Sequence, residues 1–272
     1  MADDYTFPTG ELMKGKKALI TGVANHNSIA WGIASQLAAQ GAELAFAYVP
    51  DMEKRVRPLG ESIGVKCFVP MEVTDDASMD AAFAQIETEM GALDAFLHSI
   101  AFANKDELKG SFVENTTREG FLRAMNISAF SFVDCARRAA KLMPNGGAMV
   151  TMTYLGAERV IPNYNTMGVA KAALEAATRY IARDLGPKGI RVNAISAGAM
   201  RTLSLAGISG GRGMISQGRA FSALKEDTSM EGVAGAALWL LSELGRSTTG
   251  EVVHVDAGFH MIGLPDGEPA EG

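Results

Sequence analysis

Seven short apolar runs alternate with longer stretches of helical spacing, and this alternation limits the folds open to the chain more than any other feature. The runs are KKALIT (16–21), AELAFAYV (42–49), VKCFVPMEV (65–73), ALDAFLHSIA (92–101), GGAMVTMTY (146–154), IRVNAISAG (190–198) and EVVHVDAG (251–258). Helical patterns fall between them. One spans 28–40 and stops at Gly41, a charged one ends near Ile63, and one after Asp75 carries Met79, Phe83, Ile86 and Met90. Others cover 118–143, 164–185 and 229–243. Strands apolar on both faces need helices on both sides, which predicts a parallel sheet. The expected fold is α/β, a single Rossmann-type doubly wound domain over 15–264 with about seven strands. Residues 1–14 and 265–272, rich in Gly, Pro, Asp and Glu, read as flexible ends. The Gly- and Ser-rich stretch 199–228 reads as a loop or lid over a substrate site.

Composition removes several function classes. Of 272 residues, 47% are hydrophobic, enough to bury a core. The formal net charge of −6 disfavours nucleic acid as a partner, because phosphate binding relies on basic surface. Cys67 and Cys135 lack metal-type spacing, and no His/Cys/carboxylate cluster suggests a metal, so a reducing cytoplasm fits better than a zinc site. No apolar run reaches the roughly 18 residues of a membrane span. The acidic start MADDYTFPTG does not read as a signal peptide.

In an open parallel sheet, ligands bind beyond the carboxyl ends of the strands. The first such end is TGVANHNSIAWGIA (21–34), a strand, a Gly turn and a helix start in order. Gly22 permits a tight turn, Ser28 is a candidate N-cap, and Gly32 leaves room for helix–sheet packing. Free N–H groups at that helix start would favour a pyrophosphate. The spacing departs from G-x-G-x-x-G, and a plain strand–turn–helix corner has the same ingredients. After the second strand come Tyr48, Val49, Pro50 and Asp51, with no cation for a 2′-phosphate, which favours NADH over NADPH.

Tyr164 and Lys171 are seven residues apart, two helical turns, so both can face one cleft. The Lys171 charge would favour hydrogen bonding or proton donation by Tyr164. Tyr154, just past the fifth strand, can converge on the same edge. Taken singly, each residue has an ordinary explanation in packing or solvation. His98 and His254 read as structural, and Asp256 as a turn former.

Together these residues resemble the bacterial NADH-dependent enoyl-acyl-carrier-protein reductases, a branch of the short-chain dehydrogenase/reductase superfamily. The resemblance runs from about Lys14 to Gly263 and rests on the turn with SIAWGIA, HSIAFA, YLGAERVIPNYNTMGVAKA, RVNAISAG followed by RTL, and GEVVHVDAGF. The commoner superfamily pattern is Y-x-x-x-K; Y-x6-K with an upstream Tyr marks the reductase branch. The resemblance implies that Tyr164 hydrogen-bonds the enoyl thioester carbonyl, Lys171 holds the nicotinamide ribose, and Tyr154 shapes the acyl site. It implies hydride delivery to the β-carbon and protonation at the α-carbon from a source left open. Cofactor contacts implied are Gly22, Ser28, Ile29, Glu72, Val73, Ser99, Ile100, Ala101, Lys171, Met200 and Thr202. Substrate contacts implied are Ala103, Tyr154, Tyr164, Met167, Ile208 and Met214. Also implied are a homotetramer, a place in fatty acid elongation and a substrate borne by an acyl-carrier protein. Departures are Val49 for a common Gln, Glu72 for Asp, Ala101 for Gly and Ala199 for Pro.

Two other readings stay open: a superfamily dehydrogenase acting on a ketone or alcohol, and a dinucleotide-binding sensor with no activity. The Y-x6-K spacing counts against the first and the Tyr–Tyr–Lys trio against the second.

Overall fold

The computed structural model describes residues 5–208 and 210–264. In chain order the main elements are β1 (Lys17–Thr21), α1 (Ile29–Ala39), β2 (Glu43–Tyr48), α2 (Glu53–Ser62), β3 (Cys67–Pro70), α3 (Asp76–Met90) and β4 (Ala95–His98). Then come α4 (Phe112–Asn115), α5 (Arg118–Met125), α6 (Ser131–Ala139), β5 (Gly147–Thr153) and α7 (Asn165–Leu185). The chain continues with β6 (Ile190–Ala197), α8 (Leu203–Ala206), α9 (Gly211–Phe221), α10 (Met230–Leu241) and β7 (Val252–Val255). The strands form one parallel sheet in the order β3-β2-β1-β4-β5-β6-β7, the Rossmann arrangement the alternation predicts.

Each strand feeds two cores because successive side chains alternate in direction. On β1, Ala18 and Ile20 pack under α1 and α10, whereas Leu19 enters the opposite core with Met79, Ile86 and Phe132. Leu19 and Ile20 are both fully buried. This two-sided burial is why the strands read as continuous apolar runs rather than alternating ones.

Several sequence expectations are corrected in detail. The third and fourth strands are four residues each, shorter than their apolar runs, because the flanking residues turn out of the sheet. The segment 199–228 is not simply a loop: α8 and α9 lie within it, and glycines at helix surfaces do not prevent helix formation. Residues 1–14 read as flexible, yet the part from Pro8 onward is tied to α1. The Pro8 carbonyl accepts from the side-chain amides of Gln36 and Gln40, and Met13 N–H donates to the Gln40 carbonyl. Met13 is buried as a result. The tail at 265–272, expected to be flexible, lies outside the described residues. Gly32 does leave room for packing, but the neighbour is Met230 of α10 rather than the sheet. Among the described residues no helix is long and apolar enough to cross a membrane.

Candidate active site

The sheet reverses direction of winding between β1 and β4, and a cleft opens there beyond the strand ends. Gly22, just past β1, adopts φ +88°, and a Cβ at this position would collide with the Ser99 carbonyl just past β4. Only glycine satisfies both the conformation and the close approach. Ser28 occupies the N-cap position of α1 but does not cap it. Its hydroxyl instead accepts from Ala24 N–H and Asn25 N–H and donates to the Asn25 carbonyl, closing the turn. The start of α1 therefore carries no side-chain cap, an arrangement suited to an anion.

The resulting cavity is about 490 Å³, and Gly22, Ser28, Ile29, Glu72, Val73, Ser99, Ile100, Ala101, Met200 and Thr202 line it. So do Tyr154, Tyr164, Lys171, Ile208 and Met214. Ala103 and Met167 do not line it. They pack behind it in a small apolar cluster with Leu108, Tyr164 and Ile208. At the β2 end, Tyr48 and Val49 reach the cavity. The nearby Arg57 is committed to Glu53 at 2.7 Å and stacks over the Phe68 ring. Arg123, which sequence reasoning did not single out, also lines the cavity, with its guanidinium over the Phe102 ring.

The chemical end is built by β5 and α7. Tyr164 stands at the N-cap position of α7, between two asparagines with left-handed backbone, Asn163 at φ 62° and Asn165 at φ 38°. Asn tolerates this region better than most residues. The Asn165 side-chain amide donates to the Glu107 and Gly110 carbonyls at 3.2 and 3.3 Å, which pins the turn. The Tyr164 ring lies against Gly156, where a Cβ would strike it, and against Tyr154. Gly156 and Asn165 thus seat the phenol. A sequence signal existed in the Gly after YL and the paired Asn residues, but without coordinates nothing tied them to Tyr164.

Burial pushes the Tyr164 phenol well above its usual range, with Tyr154 and Glu175 adding to the shift. Tyr154 is pushed up to about 12, by burial and then Asp256. Both are therefore neutral hydrogen-bond donors near neutral pH. Lys171 is buried and donates to the Met152 carbonyl at 2.7 Å. Burial lowers its pKa to about 8, against an opposing pull from Glu175. His98 is structural as expected: its nitrogens bond Thr151 and Ser131, and burial holds it down at about 3. His254 does more than pack in β7, since it bonds Glu158 and stacks on His260. Asp256 accepts from Gly258 N–H and His260 N–H, organising the turn.

A parallel doubly wound sheet with a glycine-cradled cleft and a Tyr–Tyr–Lys trio at its lip defines a dinucleotide-dependent reductase of the short-chain type. The family model described as enoyl-(acyl carrier protein) reductase matches residues 22–260, and the chain belongs to this family. It is 52% identical over 255 residues to enoyl-[acyl-carrier-protein] reductase [NADH] 2 of Rhizobium meliloti, covering 93% of this chain and 95% of that one. Among solved structures, the enzyme of Anaplasma phagocytophilum in complex with NAD superposes with a TM-score of 0.92 at 51% identity, covering 96% of this chain and 100% of that one. The Bacillus cereus enzyme with NADP+ and an indole naphthyridinone gives 0.91 at 48% identity, covering 93% and 100%.

Proposed function

We infer that this chain reduces the 2,3-trans double bond of enoyl thioesters carried on acyl-carrier protein, with NADH as reductant, in fatty acid elongation. The observation that carries this reading is the convergence of Tyr154, Tyr164 and Lys171 on the cleft beside the glycine cradle. The cleft fits a dinucleotide on its own evidence: backbone with no room for a Cβ at Gly22 and an uncapped helix start, while at the β2 end Arg57 is committed to Glu53. When bound, NADH supplies the hydride.

Gly22, Ser28, Ile29, Glu72, Val73, Ser99, Ile100, Ala101, Met200 and Thr202 would hold the dinucleotide along the cleft, and Lys171 would hold its ribose hydroxyls. Tyr164, neutral and fixed in its seat, donates a hydrogen bond to the thioester carbonyl as negative charge collects there. Tyr154 packs against it and shapes the acyl site. Met214 and Ile208 meet the acyl chain from α9 and the turn before it, and Ala103 and Met167 back the pocket through Tyr164. The lid role of 199–228 belongs to the same reading, with α8 and α9 as the covering elements.

The reading also includes four subunits paired through helices and β7, and a cytoplasmic setting. Light scattering would give a mass near four times 28.7 kDa if the assembly is as proposed. The deciding experiment follows oxidation of NADH and of NADPH with crotonyl and longer 2-enoyl thioesters. Oxidation with NADH preferred supports the reading, and no oxidation at any chain length rejects it.

A further inference from the structure

The end of β5 is held by α7 at two adjacent points. Lys171 donates to the Met152 carbonyl at 2.7 Å, and the Thr153 hydroxyl donates to Glu175 Oε1 at 2.7 Å. Lys171 and Glu175 are four residues apart on α7, so they lie on one face a single turn apart. Both are buried, at 6% and 7% exposure. A buried ammonium is costly unless an opposite charge compensates it.

We propose that Glu175 is a positioning residue for the reaction, the counter-charge that keeps Lys171 an ammonium at the cofactor cleft while Thr153 fixes the carboxylate to the end of β5. This rests on the reading of Lys171 as the ribose-binding cation.

The groups around the pair leave this task to Glu175. From β4, His98 faces Lys171 but is neutral and bonded to Thr151 and Ser131. From the segment after β5, Tyr154 is a neutral phenol, as is Tyr164 at the head of α7. Asp256, beyond β7, is engaged by Gly258 N–H and His260. Around Glu175 itself stand Glu158, His254 and Arg179, and His254 bonds Glu158 at 2.8 Å. Among the described residues, Glu175 is the anion that acts on Lys171. Burial raises the Glu175 carboxyl itself, and the Thr153 hydrogen bond opposes that rise, so the hydroxyl helps keep the carboxylate charged.

The test is the pH profile of NADH binding, read by fluorescence without any thioester, alongside the pH profile of turnover. Glu175→Gln keeps the shape and an acceptor for Thr153 but removes the charge. Its alkaline limb is expected about one pH unit or more below that of the wild type. Glu175→Asp, which keeps the charge but withdraws it, is expected to move the limb in the same direction by a smaller step. Lys171→Met serves as reference and is expected to lose the limb altogether. A folded Glu175→Gln protein, checked by circular dichroism, with its limb at the wild-type position overturns the proposal. If that variant does not fold, an unmoved limb in Glu175→Asp overturns it equally. Failure of the wild type to reduce any enoyl thioester would reject the proposed activity, yet the binding profile would still decide the role of Glu175.

Discussion

The ring of Tyr164 meets that of Tyr154 edge to face, with centroids 5.0 Å apart and planes at 70°. Each phenol thus helps hold the other, and both line the cleft. Removing one hydroxyl while keeping its ring separates chemistry from packing. Tyr164→Phe is expected to lower turnover by about 10²-fold or more while leaving NADH affinity unchanged. Tyr154→Phe is expected to lose less, since its hydroxyl is the second donor. Steady-state NADH oxidation with direct binding measurements checks both, and a Tyr164→Phe enzyme of normal turnover would remove the phenol from the mechanism.

Turnover and NADH affinity should both decline as pH rises through about 8. Lys171, lowered to about 8 by burial, is charged below that value and neutral above it. Tyr164 is shifted upward, so it keeps its proton across this window and cannot be the source of the limb. His98, held at about 3, adds no acid limb near neutrality. A pH profile of the NADH dissociation constant flat from 7 to about 10 would contradict this assignment.

Gly156→Ala is expected to reduce kcat with little change in NADH binding, because a methyl group there pushes into the Tyr164 ring. Overpacking of this sort costs about 1–3 kcal/mol, so the melting temperature should fall as well. Thermal unfolding and kcat measured on the same preparation test the coupling between seat and activity.

Val49 lines the cavity where a 2′-phosphate would need a cation, and it is half exposed. Val49→Arg is therefore expected to raise the use of NADPH relative to NADH by about tenfold or more. The ratio of kcat/KM for the two reductants gives the answer directly.

Much of this was legible in the residues. Hydrophobic runs with helical spacers suffice for the parallel, doubly wound sheet, because strands buried on both faces leave few alternatives to it. Tyr164, Lys171 and Tyr154 were legible through spacing and position at strand ends. What escaped was set by contacts distant in sequence. Nothing local indicates that the Ser28 hydroxyl closes its own turn rather than capping α1, or that Gly32 faces Met230. Helix α9 was hidden by glycines that weigh against helix formation residue by residue, and α8 is only four residues long. The docking of Pro8 onto Gln36 and Gln40 depends on side-chain amides some thirty residues away. No local pattern on α7 sets Glu175 apart, because its partner Thr153 lies on β5, 22 residues earlier.

Strand order divides labour along the chain. On the proposed reading, the main-chain cradle for a dinucleotide comes from the ends of β1 and β4, and the two phenols that meet the substrate come from the end of β5 and the head of α7. Loss of the Tyr164 hydroxyl should then yield a protein that captures coenzyme and idles. Damage at the β1–β4 junction should leave intact chemistry with nothing to act through. Mixed with the wild-type protein, the idle kind would occupy coenzyme without return, and its burden would grow with its share of the population.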